Sequence, residues 1–385
     1  MAIYLDCAAT APLEPRVRAE VIRYLDDEFG NAGSRTHEYG RRARSAVERA
    51  RDRVAAVVAA SRGDVIFTSG ATEANNLAIL GLARHGEMTG RTHIVSTAIE
   101  HHAVLEPLAE LERRGFAVER IPPGSDGAVD VEAVHRAVRP DTLLVSMMHV
   151  NNETGVIQPI ADFASRLDGT GPWLHVDAAQ GFGRRIADLR HPRIDLISLS
   201  GHKIHAPKGV GALVARRREG GDRPPIAPLM HGGGQERGWR PGTLPVPLIA
   251  GLGKASELSL EEADARDARC REFRRRLIEG LAPLEPVLNG HPDRCVPHIV
   301  NFSIAGVDAE AAIEAWQDLV AVSHGAACSS QAYTCSHVMA AMELPQWQQD
   351  GALRLSWCHF TPLPDWGAMV DAITRVRRHE RSHVR

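Results

Sequence analysis

The residue with the most distinctive chemistry is Lys203, which ends the tetrapeptide Ser-Gly-His-Lys directly after an apolar run at residues 195–199. The run predicts a β-strand, and a lysine at the carboxyl end of a strand can reach a ligand in the crevice there. When neutral, such a lysine forms a Schiff base with a carbonyl compound. Most lysines are solvent-exposed charges, so this tetrapeptide alone leaves both interpretations open.

An aspartate at the end of a second predicted strand makes a cofactor site the better interpretation. Asp177 closes the run Trp-Leu-His-Val-Asp. A carboxylate beside the nitrogen of a pyridine ring keeps that nitrogen protonated, so the ring can accept the electrons of a carbanion. Pyridoxal 5'-phosphate (PLP) needs both an amine and such an acid. An aspartate that only caps a turn would not explain the lysine that follows in the same predicted crevice.

A phosphate site is indicated at residues 68–76, where a predicted strand breaks at Gly70 and a helix begins with Thr72 and Glu73 in its first turn. Backbone N–H groups and the positive end of the helix dipole favour a phosphate at such a position. There is no Walker lysine. Thr72 could equally be an ordinary helix N-cap.

A candidate nucleophile lies near the C-terminal end of the chain. Cys328 stands among small residues in His-Gly-Ala-Ala-Cys-Ser-Ser. Free cysteine is usually buried, but this composition predicts a loop on which a thiol can move. Cys335 precedes a predicted helix start and is interpreted as structural. The spacing of Cys328, Cys335 and His337 fits no common zinc pattern, so no metal site is expected.

The elements that must position these residues are predicted from alternating patterns. Short apolar runs alternate with helical patterns between residues 65 and 214, which is typical of an α/β fold with a mostly parallel sheet. Residues 246–280 predict one long helix that leads out of this domain. From residue 298 onward, strands and helices predict a small α+β domain. We therefore expect a large domain at 16–258 and a small domain from 1–15 and 259–385.

The composition sets limits on function. The 385 residues are 44% hydrophobic and carry a formal net charge of -3, which offers no general attraction for nucleic acid or an anionic membrane. No export signal, membrane span or disulfide framework is predicted. We expect a cytoplasmic protein whose partners are small molecules and proteins.

Eight motifs in order carry a resemblance to a known family. They are YLDCAAT, SGATEANN, EHHAVL, MHVNNETG, HVDAAQ, SGHKIHAPKGVGAL, GGGQERGWRPGT and HGAACSS. Together they resemble the cysteine desulfurases of the class V aminotransferase group, including the nitrogen-fixation and housekeeping sulfur donors. The resemblance implies a fold type I PLP enzyme, active as a homodimer. It implies conversion of L-cysteine to L-alanine, transfer of sulfur to Cys328 as a persulfide, and delivery to an acceptor protein.

The resemblance also implies roles for single residues. Lys203 matches the Schiff-base lysine, Asp177 the partner of the pyridinium nitrogen, and His101 the imidazole that stacks on the ring. Arg354 matches the arginine that binds the substrate carboxylate, for which a guanidinium fork is well suited. Asn152 and Gln180 match groups near the phenolic oxygen of the cofactor. The positions matched around the phosphate are Ala71, Thr72, Ser200 and His202, and Thr243 matches a residue that reaches the phosphate from the other subunit. Asn31 and Arg35 match the active-site entrance, and Asn152 and Asn31 are also expected near the substrate.

Some features leave alternatives open. Cys7, Ala11, Trp239 and Pro241 depart from common versions of the motifs. The chain also resembles the branch that supplies sulfur for DNA phosphorothioation, although no motif supports direct DNA contact. A selenocysteine lyase, a transaminase of the same fold, and a non-catalytic sulfur-carrier scaffold for iron–sulfur assembly remain alternatives.

Overall fold

A computed structural model describes residues 2–324 and 336–383 of the protein. The strands, in chain order, are β1 (Ile3–Tyr4), β2 (Val65–Thr68), β3 (His93–Thr97), β4 (Ala117–Ile121), β5 (Thr142–Met148), β6 (Trp173–Asp177), β7 (Leu196–Ser200), β8 (Gly211–Ala215), β9 (Val287–Leu288), β10 (Ile299–Ser303), β11 (Val320–Ala321), β12 (Ser323–His324) and β13 (Leu353–Ser356).

Helices precede, connect and follow these strands. They are α1 (Pro15–Asp26), α2 (Glu38–Val57), α3 (Ala71–Leu80), α4 (Ala83–Thr89), α5 (His102–Arg113), α6 (Val131–Ala137), α7 (Ile160–Ala164), α8 (Val246–Glu261), α9 (Ala263–Leu281), α10 (Ala309–Trp316), α11 (His337–Ala341), α12 (Gln346–Asp350) and α13 (Trp366–His383).

The large sheet has the strand order β2-β8-β7-β6-β5-β3-β4. Neighbouring strands from β4 to β7 are parallel, and β8 is antiparallel to both β7 and β2. Strands β5, β6 and β7 are buried along their whole length, as expected where helices cover both faces of a parallel sheet. The prediction of an α/β fold with a mostly parallel sheet is confirmed.

The register of the central strands sets the position of the site. Met148 at the end of β5 lies beside Asp177 at the end of β6, and Asp177 pairs with Ser198 of β7. Lys203 ends a 3-10 turn that follows β7 immediately. The carboxyl ends of three adjacent strands therefore deliver polar side chains to one edge of the sheet.

A second sheet has the order β12-β13-β10-β9, and its hydrophobic core includes Trp316, Trp357 and Phe302. The N-terminal residues join this part of the molecule, since β1 pairs with β11 and Leu5 belongs to the same core. The division of the chain near residue 258 stays a prediction.

The expectation of one continuous helix over residues 246–280 is wrong. The chain leaves helical geometry at Glu262, which separates α8 from α9. The Glu262 carboxylate accepts hydrogen bonds from Arg16 of α1, at 2.7 and 3.0 Å, and from Arg266. A tertiary contact thus holds the break between α8 and α9, and there is no Gly or Pro to mark this break in the sequence. Among the described helices, none is both long and apolar enough to cross a bilayer.

Candidate active site

A cavity of about 650 Å³ opens at the carboxyl ends of β5, β6 and β7. Most of the site residues expected from the sequence contribute to its wall. These are Ala71, Thr72, His101, Asn152, Asp177, Gln180, Ser200, His202, Lys203 and Arg354.

The amine of Lys203 is held against the N-terminal segment. Its Nζ donates hydrogen bonds to the carbonyl oxygens of Ala8, at 2.5 Å, and Ala9, at 3.0 Å. The Gln180 side chain donates to the same Ala8 oxygen at 2.9 Å. The segment after β1 is therefore part of the cavity wall and positions the lysine.

Asp177 presents a buried carboxylate whose two oxygens are both oriented. Oδ2 accepts from the Asn75 side chain at 2.7 Å, and Oδ1 accepts from the Ala179 backbone N–H at 2.9 Å. Asn75 lies in α3 and is fully buried. The Asp177 carboxylate is thus fixed from two elements.

His101 stands at the N-cap of α5, where its Nδ1 accepts from the Ala103 N–H at 3.0 Å. In the neutral imidazole the proton is therefore on Nε2. Burial lowers the pKa of His101 below its usual range, the Lys203 charge lowers it further, and Asp177 opposes the shift. The imidazole is accordingly neutral near pH 7 and contributes a planar side chain to the cavity wall.

The phosphate end of the cavity combines a helix start with polar side chains. No side chain caps the start of α3, so its first N–H groups are open to a ligand. Thr72, Ser200 and His202 line the cavity beside it, together with Lys208. Burial lowers the pKa of His202 to about 4, so a neutral imidazole is available for hydrogen bonding.

Arg354 lies in β13 and is almost fully buried. Its Nη1 donates to the Asn152 carbonyl at 3.0 Å, and its Nη2 donates to Asp6 Oδ1 and Ser323 Oγ, both at 2.8 Å. The Nε atom is buried without a hydrogen-bond partner among the described residues. The guanidinium is fixed on the cavity wall, and its fork geometry suits a carboxylate.

Three expected residues do not line this cavity. Asn31 is exposed, and its side chain accepts from the Gly33 N–H at 2.8 Å. Arg35 and Thr243 are exposed as well. A contact from Thr243 to the site of a second subunit stays a prediction, as do the roles of Asn31 and Arg35 at the entrance. Cys328 and Cys335 lie outside the described residues.

Sequence reasoning missed two residues that hold the named ones. Asn75 stands within the motif assigned to phosphate binding, four positions after Ala71 and therefore one helical turn further along. Asp6 stands within the first motif, directly before Cys7.

The chain on either side of Cys328 is anchored at the cavity. Ser323, five residues before the cysteine, is hydrogen-bonded to the cavity residue Arg354. His337, nine residues after it, is hydrogen-bonded through Nε2 to the Glu100 carbonyl at 2.9 Å, directly before His101.

Comparison with known proteins agrees with this geometry. The model of the family described as Aminotransferase class-V matches residues 3–365. The chain belongs to this family. The cysteine desulfurase IscS of Salmonella arizonae is 43% identical over 376 residues, covering 97% of this chain and 92% of the relative.

Solved structures of the family are also similar to this chain. DndA from Streptomyces lividans shares 53% identity with a TM-score of 0.82, covering 94% of this chain and 100% of that one. SspA in complex with cysteine shares 32% identity with a TM-score of 0.80, covering 94% of this chain and 100% of that one. The fold type I architecture and PLP dependence expected from the sequence are confirmed at the level of the family.

The residues present fit PLP on independent grounds. An amine, an oriented carboxylate, a neutral imidazole and an uncapped helix start surround one cavity. When bound, PLP supplies an electron sink for chemistry at the Cα of an amino acid. Lys203, Asp177, His101 and Thr72 are the groups that would hold it.

Proposed function

We propose that the protein is a PLP-dependent cysteine desulfurase that converts L-cysteine to L-alanine and receives the sulfur on Cys328. The observation that carries the proposal is the shared cavity of Lys203, Asp177 and Arg354 in a chain of this family. Relatives named cysteine desulfurase, and the solved complex of SspA with cysteine, support cysteine as the substrate.

The protein's own groups divide the work in the following way. Arg354 binds the substrate carboxylate, which places the Cα of the amino acid near Lys203. The Lys203 amine takes the Cα proton and later returns a proton to the substrate. With PLP bound, Asp177 would be the partner that keeps the ring nitrogen protonated. His101 would help to hold the ring and, as a neutral imidazole, would add no charge to the site.

The sulfur-accepting step is assigned to Cys328. Its thiolate attacks the substrate sulfur, the carbon–sulfur bond breaks, and the electron pair of that bond returns to the carbon skeleton that leaves as alanine. The persulfide then stays on the protein until an acceptor thiolate removes its outer sulfur. The anchored positions of Ser323 and His337 support this assignment.

The finer description of the protein's role is also a proposal. We infer a cytoplasmic homodimer in which Thr243 of each subunit contacts the phosphate in the other. The acceptor is a sulfur-carrying or iron–sulfur protein. The 53% identity to DndA favours the branch that serves DNA phosphorothioation over general iron–sulfur assembly.

Product analysis with active-site variants tests the function. The unsubstituted enzyme with L-cysteine and a reductant is expected to give equal amounts of alanine and sulfide. Cys328→Ser should bind the cofactor and lose sulfide release, whereas Lys203→Ala should lose the visible absorption of the lysine-bound cofactor. Cys295→Ser, which changes a half-buried thiol away from the cavity, is the matched control.

The same assay separates the alternatives. Preference for selenocysteine would indicate a selenocysteine lyase, and amino transfer to a keto acid would indicate a transaminase. No turnover with any of these substrates would favour a carrier scaffold. Normal sulfide production by Cys328→Ser would contradict the assignment of the accepting thiol.

A further inference from the structure

Three potential metal ligands converge from two distant parts of the chain, the loop after Lys203 and the segment after β13. His205, Cys358 and His359 each offer one ligand atom, and these atoms lie within 4.8 Å of one another. Ligand atoms around tetrahedral zinc are roughly 3.3–3.8 Å apart, given bond lengths of about 2.0–2.3 Å. Small side-chain adjustments would bring this group to that geometry.

The two imidazoles are oriented as ligands. Nδ1 of His205 is 2.9 Å from the Pro12 carbonyl, and since a carbonyl only accepts, Nδ1 carries the proton and Nε2 a lone pair. A hydrogen bond from the second ring nitrogen to a backbone carbonyl is the usual support for a zinc-bound histidine. Nε2 of His359 is buried and has no hydrogen-bond partner among the described residues.

A second thiol lies beside this group. The Cys7 and Cys358 side chains are buried and interact with each other, although Cys7 is not one of the three residues whose ligand atoms lie within 4.8 Å of one another. Neither cysteine is in a disulfide.

Space and charge at the cluster are compatible with one small cation. His205, Cys358 and His359 line a cavity of about 40 Å³, larger than the 10–15 Å³ that a water molecule needs. Arg184 and Arg266 line the same cavity and would repel an isolated cation. Arg266 is paired with Glu262 at 2.8 Å, and two thiolates neutralise a divalent ion.

We propose that Cys7, His205, Cys358 and His359 form a structural zinc site. The site would join three segments: the N-terminal residues whose carbonyls hold Lys203, the loop after Lys203, and the segment that follows β13. Zinc favours mixed Cys and His ligands in a closed tetrahedral site, which matches this donor set. This differs from the expectation of no metal site. The four ligands come from three separate parts of the sequence, so they do not form any of the short ligand spacings by which zinc sites are recognised in a sequence.

Metal analysis of the full chain tests the site without using turnover. The background is Cys328→Ser combined with Cys335→Ser, so that those thiols cannot bind zinc, and the protein is grown with added zinc. We expect one zinc ion per chain by plasma mass spectrometry, and an X-ray absorption spectrum with sulfur at about 2.3 Å and nitrogen at about 2.0–2.1 Å.

Ligand variants in the same background define the residues. Cys358→Ser and His359→Ala should each lower zinc affinity at least about tenfold, because even loss of a supporting residue has an effect of that size. Cys295→Ser should leave affinity unchanged. If a variant does not fold, the absorption spectrum of the background protein still decides the question.

Two results would overturn the proposal. One is a zinc content in the background protein no higher than in Cys7→Ser/Cys358→Ser. The other is a Cys7–Cys358 disulfide found by peptide mapping of protein purified without reductant. Both can be observed whether or not the enzyme desulfurates cysteine.

Discussion

At the scale of single residues, the reactive groups depend on neighbours that do no chemistry themselves. Lys203 is held by two backbone carbonyls, Asp177 by Asn75, and Arg354 by Asp6. A hydrogen bond to a charged group contributes about 1.5–3 kcal/mol, which corresponds to roughly tenfold to a hundredfold in a rate or binding constant. The neighbours should therefore be visible in kinetics.

Asn75→Ala is expected to lower kcat for cysteine desulfuration by about tenfold or more, because Asp177 loses an oriented donor and its carboxylate can turn away from the ring nitrogen. Steady-state alanine formation measures the effect. Asn76→Ala is the control, since the Asn76 side chain donates to the Thr72 carbonyl within the same helix. Equal kcat in the two variants would contradict the role given to Asn75.

Asp6→Asn is expected to raise KM for L-cysteine by about tenfold with a smaller change in kcat. The reason is that Asp6 Oδ1 accepts from both Arg354 and Ser323 and thereby fixes the guanidinium on the cavity wall. The initial-rate dependence on cysteine concentration gives both constants. A large fall in kcat at unchanged KM would mean that Asp6 acts elsewhere.

At the scale of elements, the strands of the large sheet were predictable and the helix break at Glu262 was not. Buried parallel strands are nearly all apolar, so their boundaries appear in the sequence. The apolar run at 195–199 and the run Trp-Leu-His-Val-Asp fall on the buried strands β7 and β6. The break depends on Arg16, more than 200 residues away, and local pattern carries no information on that contact.

The candidate site was predictable to a similar extent. Residues at strand ends and helix starts, such as Lys203, Asp177 and Thr72, have positions that follow from the element pattern. Asp6 approaches Arg354 only because β1 and β13 meet in the folded chain, with Asp6 bridging to Ser356. Such pairings depend on tertiary topology, which the sequence pattern did not specify.

The loop between β3 and α5 contains a carboxyl group that should affect stability. Glu100 is fully buried, and its Oε1 accepts from Thr97 Oγ1 at 2.6 Å and the Met148 N–H at 2.7 Å, while Oε2 has no partner among the described residues. Burial raises the pKa of Glu100 to about 8. The folded protein keeps this proton in a pH range where the unfolded chain has released it.

The sign of the pH effect follows from linkage. The contribution of Glu100 is fully present below about pH 4.5 and is lost as the pH rises toward 8, by about 3–5 kcal/mol. Glu100→Gln should remove this dependence, so its melting temperature relative to the unsubstituted protein should rise from pH 5 to pH 8. Exposed Glu87→Gln is the control. A constant difference across this range would contradict a protonated Glu100.

At the scale of the whole molecule, the described residues form two large hydrophobic clusters, one in the main sheet and one around β10 and β13. The larger cluster includes the inner side chains of the main sheet together with Val338 and Met339 of α11, and the second contains the core of β10 and β13. Arg354 thus comes from one cluster and Lys203 from beside the other. Substrate binding between them depends on how these parts are held together.

Subunit mixing tests the proposed sharing of sites in a homodimer. Lys203→Ala and Thr243→Ala should each impair PLP binding alone, but a mixed dimer contains one site with both native residues. Unfolding and refolding the two variants together should therefore create a population of high-affinity sites that neither has by itself. Separately refolded samples, mixed afterwards, are the control. No gain on joint refolding would mean that Thr243 does not serve the other subunit.

The central claim is that substrate cysteine gives its sulfur to Cys328. The most direct test is to incubate the PLP-loaded protein with L-cysteine, trap its thiols with an alkylating reagent, and locate the added sulfur by peptide mass spectrometry. The account predicts an alkylated persulfide at Cys328 and none when Lys203 is alanine. An added sulfur on Cys335 instead, or on no cysteine while alanine is formed, would contradict it.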